Sequence, residues 1–392
     1  MSILHQPKAL ALLQDAEVSA DDVRGCQSRL TSFLERYLPW FHRREQREHA
    51  HLVIEGKLSG LERKTSEPIA NQAGVPRKPI QVFVGNGGWD DEAVMAELRR
   101  HVATELGDPN GVLILDPCGF PKKGNESCGV QRQWCGRLGK VDNCQVGVFM
   151  AYATAEDWAP LDRQLYLPKE RAGNRQHRKK CHVPKEVKYQ EKWRIGLELM
   201  DRCEVPYGWV TADDEFGRVT AFRTALRERS KRYVLDVPSN TLIREAGTRD
   251  RFVRADVWAD RQPSSRWQKL KVRAGEKGAI VVRAVCVQVQ AKDEDGCVGP
   301  RETLLVVRSV GGESRRDFAL SNANDTALET LVEVRSRRHR IEELFEAGKG
   351  EIGLGHYEVR NWVGWHHHMT LSLLALWFLV LEKRRLKKKL RR

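Results

Sequence analysis

Apolar residues recur along this chain in two rhythms. Leu30, Phe33, Leu34 and Tyr37 fall at helical spacing, and residues 45–63 mix charge with scattered Leu, Val and Ile. Residues 1 to about 75 therefore read as helical. The texture then changes: 80–84 predicts a strand, 85–89 a turn, and 90–106 a helix capped by Asp90 or Asp91. Residues 111–116 predict a strand ending in an acid, followed by a turn over 117–124. Strands follow at 144–154 and 161–167, a linker at 169–180, a helix at 185–203, and a strand at 207–214 that again ends in acids. A helix at 221–230 and a strand at 232–238 complete this part. From about 245 to 315 the pattern is β-rich, with 279–289 and 303–310 alternating like paired strands around the turn 293–296. Residues 326 to about 349 predict one helix, and a second helical stretch runs to the end. Strands and helices alternate, so the fold class is α/β.

Composition bounds the partners. The 392 residues hold 67 Lys and Arg against 53 Asp and Glu, a formal charge of +14. That surplus favours a polyanion or an acidic membrane surface. It is unevenly spread: residues 169–180 carry six bases and one acid, and 382–392 carry eight and one. Residues 1–75 hold ten of each, so a basic helical segment there adds no net charge. The apolar run 369–381 spans thirteen residues, short of the roughly 20 that cross a bilayer, and reads as a buried helix rather than a membrane segment. The amino terminus lacks the pattern of a signal peptide, and a cytoplasmic location is expected. Nine cysteines form no CxxC, which gives neither a zinc ribbon nor a thioredoxin-like motif and suggests reduced thiols.

Two glycine- and histidine-rich stretches invite chemistry and decline it. The glycines at 85, 87 and 88 have the wrong spacing for a dinucleotide fingerprint. His366, His367 and His368 are consecutive, so on a helix they point about 100° apart and do not converge on one ion.

The acids are more informative. Asp116 and Asp213 each close an apolar strand pattern, where reactive groups collect in open α/β sheets. Alone, either could be a cap or a turn residue, and the pattern does not choose between Asp213 and Asp214. Together they suit a hard cation such as Mg²⁺, which takes carboxylate oxygens. On a helical wheel Ile341, Leu344, Phe345, Gly348 and Ile352 form an apolar face with Glu342 at its border. Arg338 and Lys349 share that edge and could grip phosphates, although Arg338 and Glu342 could equally form a surface i,i+4 pair.

At this point the chain resembles the DDE-type transposases of bacterial insertion sequences, in the branch with a β-rich insertion before its glutamate helix. The resemblance lies in residues 113–124 (LILDPCGFPKKG), 133–148 (QWCGRLGKVDNCQVGV), 165–168 (LYLP), 209–217 (WVTADDEFG), 340–354 (RIEELFEAGKGEIGL) and 356–362 (HYEVRNW). It implies an RNase H-like mixed sheet flanked by helices, and a metal-binding catalytic triad of Asp116, Asp213 and Glu342. The branch signature Tyr-x2-Arg-x3-Glu-x6-Lys is met by Arg338, Glu342 and Lys349, with Arg335 in the tyrosine place. Pro117-Cys118 stands where many relatives have Asp-Thr.

The resemblance further implies two Mg²⁺ ions per site, with Mn²⁺ substituting. Water frees a 3′-OH at the element end, and that 3′-OH then attacks target DNA. Its partners would be double-stranded DNA, as terminal inverted repeats and target, and a second copy of the chain in a synaptic complex within the nucleoid. Lys122 and Lys123 would be further phosphate contacts. The implied organisation is a helical DNA-binding region at 1–75, core segments at 76–244 and 316–368 around the β-rich insertion 245–315, and a terminal helix with basic tail at 369–392. The competing readings are a DNA-binding protein that has lost transposition and an RNase H-like nuclease without strand transfer.

Overall fold

The computed structural model describes residues 24–275, 278–292, 296–310 and 316–390. Part of the helical expectation at 1–75 and most of the turn at 293–296 lie outside them. The chain divides into two units, residues 99–345 and, as the other, the residues on either side of them.

The helices in chain order are α1 (Cys26–Glu35), α2 (Arg44–Leu58), α3 (Ser66–Ala73), α4 (Arg77–Asn86) and α5 (Asp91–Leu106). Then come α6 (Lys169–Gly173), α7 (Arg175–Lys180), α8 (Lys192–Asp201), α9 (Asp214–Gly217) and α10 (Thr220–Glu228). The last are α11 (Ala255–Asp260), α12 (Leu328–Ser336), α13 (His339–Gly350) and α14 (Trp362–Leu390). The strands are β1 (Val112–Pro121), β2 (Gln131–Cys135), β3 (Lys140–Ala153), β4 (Trp158–Leu165), β5 (Trp209–Ala212) and β6 (Arg232–Val237). The rest are β7 (Leu242–Glu245), β8 (Val253–Arg254), β9 (Gln268–Gly275), β10 (Gly278–Lys292), β11 (Val298–Ser309) and β12 (Arg316–Ser321).

In the unit of residues 99–345, all twelve strands join one mixed sheet. Its centre reads β4-β3-β1-β5-β6, with β1 antiparallel to β3 and parallel to β5, and β6 parallel to β5. This is the RNase H-like arrangement, an α/β sheet flanked by helices. β12 pairs β6 on one side and β11 on the other, so the β-rich stretch continues the central sheet rather than standing apart from it. The paired strands expected at 279–289 and 303–310 are β10 and β11.

Several local expectations need correction. Residues 80–84 are helical, inside α4, and not a strand. Ile80, Phe83 and Val84 are buried at i, i+3 and i+4, and Pro79 sits in the first turn, where its missing N–H costs nothing. The turn expected from Pro117 starts later, because β1 continues to Pro121. β1 loses its parallel neighbour after Leu115, so Pro117 needs to donate no bond on that side. Helix formation within 185–203 is confined to 192–201, since Arg178 Nη1 and Nη2 bind the Val187 and Pro184 carbonyls at 2.8 Å and hold the chain in a turn there. The helix expected over 326–349 is broken between α12 and α13. Arg335 and Arg338, either side of the break, both reach Asp236.

The other unit is helical. Phe33 meets Phe378 with ring centroids 5.4 Å apart, and Trp89 stacks on His367 at 3.8 Å. The apolar run at 369–381 is buried within α14, and among the described residues no helix is long and apolar enough to cross a membrane. His366, His367 and His368 are buried, each within hydrogen-bond distance of a different carbonyl (Trp362, Trp89 and Leu354), as a packing role requires. Asp90 caps α5 by accepting from the Glu92 and Ala93 amides.

Candidate active site

The sheet register assembles the acids. Leu115, Ala212 and Leu235 lie in one row across β1, β5 and β6. One residue further along each strand come Asp116, Asp213 and Asp236, at the carboxyl ends of the parallel pairing. Asp213 leaves the sheet there as the N-cap of α9, its Oδ1 accepting from the Glu215 and Phe216 amides at 3.1 and 3.3 Å. Gly217 closes α9 so near the Asp236 carbonyl that a Cβ would collide with it, which keeps this turn tight against β6.

Helix α13 brings the glutamate. Asp116 is register partner of Phe149 on β3, so their side chains share a sheet face. Phe345 packs edge-on against Phe149 at 5.4 Å, and Ile341 and Leu344 are buried beside it. Glu342 lies outside this buried face and is exposed, more so than Glu343, so it is less sheltered than the wheel predicts. Arg338 then ties the acids together. Its Nη2 donates to Glu342 Oε1 at 2.6 Å, its Nε lies 3.1 Å from Asp236, and its Nη1 lies 3.7 Å from Asp116.

The electrostatics separate the acids. Burial, then the neighbouring Asp213 charge, pushes the Asp116 carboxyl well above the usual range, against the pull of Arg338. Burial with the Glu215 and Asp214 charges raises Asp213 to about 7. Glu342 goes the other way, down to about 2, because His339 Nδ1 at 2.9 Å and Arg338 favour its charged form. Arg338 itself is raised: burial disfavours its charge, but Asp236, Glu342, Asp116 and Asp213 outweigh it. Two half-buried carboxyls that resist ionising beside each other form a donor set short of positive charge. Carboxylate oxygens of this kind suit a hard divalent cation, so Asp116, Asp213 and Glu342 fit one by their chemistry.

Residues 36–287 match the family described as DDE superfamily endonuclease. The chain belongs to that family. It is also 27% identical over 223 residues to a protein of Microchaete diplosiphon described as "Probable transposase for insertion sequence element IS701". That alignment takes in 54% of this chain and 55% of the relative, so it spans about half the length of each. DDE endonucleases generally use divalent metal ions. The family match includes Asp116 and Asp213 and ends before Glu342, which the fold returns to them after the long excursion through β7–β12.

Other expected residues lie elsewhere. Lys122 and Lys123 follow the end of β1, and six residues of strand put Lys122 about 20 Å from Asp116. Lys122 is partly buried, which lowers its amine to about 8, and Lys123 is exposed. Lys349 occupies the last turn of α13. The sequence reading missed Asp236 and His339, and noted Arg335 only as a departure from the signature. Asp236 sits inside a strand with no motif around it. Arg335, in the place of the signature tyrosine, donates to Asp236 at 2.8 Å and lies 3.3 Å from Asp317. A groove beside Glu342 is lined by Asp236, Asp317, Arg335 and His339 with Val307 and Ile280, so the sheet extension supplies one of its walls.

Proposed function

We propose that this protein is a DNA transposase, which cuts the ends of an insertion sequence and joins the freed 3′-OH to target DNA. The observation that carries the reading is Arg338 joining Asp116 to Glu342, with the Asp213 cap on the next strand, at the carboxyl end of an RNase H-like sheet. These three carboxylates would hold the divalent cations, proposed as two Mg²⁺ that Mn²⁺ can replace. When bound, such ions supply Lewis-acid charge to a phosphodiester and to the water that attacks it. In hydrolysis, water adds at phosphorus and the P–O3′ bond breaks, leaving a 3′-OH and a 5′-phosphate. In transfer, the 3′-OH adds to a target phosphorus and displaces the target's own O3′.

The chain's residues organise this chemistry. The α9 amides fix the Asp213 carboxylate. His339 and Arg338 keep Glu342 ionised and hold both of its oxygens. The ends of β1 and β5 hold Asp116 and Asp213 half-buried, which strengthens the charge interactions between them. Lys122, Lys123, Lys349 and the basic stretches at 169–180 and 382–392 are the proposed contacts to double-stranded DNA, both terminal inverted repeats and target. The helical region at 1–75 is proposed to bind element ends, with two copies pairing them in a synaptic complex at the nucleoid.

A plasmid carrying the inverted repeats that flank this gene, incubated with the protein and Mg²⁺, tests the reading. Joined products are expected. Cut ends without joining would reduce the protein to a nuclease, and binding alone to a DNA-binding protein.

A further inference from the structure

Away from the acids, Cys128, His177 and Cys181 converge. Cys128 lies in the loop between β1 and β2, while His177 and Cys181 lie on α7 and at its C-cap. One ligand atom from each lies within 4.8 Å of the others, and exposures are 0%, 8% and 1%. The spacing His-x3-Cys places both α7 side chains on one helical face, and His177 Nε2 lies 3.6 Å from Cys181 Sγ. A tetrahedral zinc centre, with Zn–S of about 2.3 Å and Zn–N of about 2.0–2.1 Å, has S···N edges of about 3.5 Å. The observed separation is that edge.

The surroundings fix the ligands rather than merely burying them. The Gly129 amide donates to His177 Nε2 at 3.3 Å, so the unprotonated nitrogen is Nε2, and a metal bound there would displace this hydrogen bond. That amide is aimed by a left-handed Gly129, φ +70°, where a Cβ would lie 2.7 Å from the Tyr166 carbonyl. Gln145 Nε2 donates to the Cys128 carbonyl at 2.6 Å. Asn174 Oδ1 accepts the His177 amide at 2.9 Å and starts α7. Two thiols and an imidazole in a shared buried pocket match zinc, and soft sulfur ligands disfavour Mg²⁺.

We propose that Cys128, His177 and Cys181 form a structural zinc site, with a water in the fourth place, separate from the carboxylate site. The zinc would clasp the 122–130 loop, which carries Lys122 and Lys123, to the basic segment Lys169–Lys180. Arg171 Nε already bridges the two by donating to the Val130 carbonyl at 2.7 Å. Zinc thus holds two basic stretches as one surface. Binding to thiols releases their protons to solvent and changes no oxidation state.

The test is the metal content of the full chain, purified under reducing conditions with zinc in the growth medium and measured by elemental mass spectrometry. About one zinc per chain is expected. Cys128→Ser and Cys181→Ser should each lose it, while Asp213→Asn, which alters the carboxylate site, should keep it. Should the cysteine variants fail to fold, wild-type protein reconstituted with Co²⁺ should show a thiolate-to-cobalt charge-transfer band and tetrahedral visible absorption. Absence of stoichiometric zinc, zinc kept by Cys128→Ser but lost by Asp213→Asn, a cobalt spectrum without thiolate character, or a Cys128–Cys181 disulfide in the native protein would each overturn the proposal.

Discussion

Arg338 and Glu342 are joined on one turn of α13, Nη2 to Oε1 at 2.6 Å, while the other end of the same guanidinium lies 3.7 Å from Asp116. The arginine is therefore engaged by the acids, and we propose a positioning role for it in place of the phosphate contact expected from the sequence. Arg338→Gln should lower DNA cleavage by about 10- to 100-fold through misplacement of Glu342. The slope of DNA affinity against salt should be unchanged. A slope reduced by about one unit would return Arg338 to the phosphate contacts.

Asp116 and Asp213 should respond to divalent cations without any DNA present. Because two half-buried carboxyls repel each other, added Mg²⁺ should raise the melting temperature of the wild-type protein. Asp116→Asn should be at least as stable as wild type in the absence of Mg²⁺ and should gain less from it. Differential scanning fluorimetry across a Mg²⁺ titration reads both effects.

Lys57 is fully buried on α2, and its Nζ has no hydrogen-bond partner. Burial, with the Lys64 charge, lowers its amine from 10.5 to about 7. The unfolded chain therefore holds a proton between about pH 7 and pH 10.5 that the folded chain has released. Stability from this group is lowest below pH 7 and rises as pH climbs through that window. Lys57→Met should stabilise the protein at pH 6 by about 1 kcal/mol or more and flatten this rise. Melting curves from about pH 6 to pH 9 check it.

Lys122 and Lys123 stand at the end of β1, about 20 Å from Asp116. As backbone contacts they should act on affinity and not on chemistry. Changing each to Ala should lower the salt slope of DNA binding by about one unit, with single-turnover cleavage of saturated complex unaltered. Fluorescence anisotropy at several salt concentrations measures the slope.

Much of this arrangement was legible in the residues, for physical reasons. Asp116 and Asp213 interrupt apolar strand patterns, where only an acid with a task or a cap is tolerated, and Asp213 turns out to be a cap that also faces the site. Glu342 was visible because its helix buries Ile341 and Leu344 and leaves the glutamate outside that face. Asp236 was not, since its partners Arg335 and Arg338 are about a hundred residues away and only the packing of α12 on β6 brings them together. The same distance hid the break between α12 and α13, which has no Gly or Pro to announce it. Residues 80–84 misled because a run of Ile, Val, Phe and Val reads as a strand until its burial at i, i+3 and i+4 is seen. The three residues of the proposed zinc site escaped for a related reason: Cys128 is far in sequence from His177 and Cys181, and no CxxC marks them.

The central claim is that Asp116, Asp213 and Glu342 work as one metal-holding unit on DNA. Its most direct test is Mg²⁺-dependent cleavage of a substrate bearing the element ends, by Asp116→Asn, Asp213→Asn and Glu342→Gln, with end binding measured in parallel. Each variant should bind ends close to wild type and lose cleavage by about 1,000-fold or more. Cleavage kept near the wild-type rate by any of the three would contradict the account.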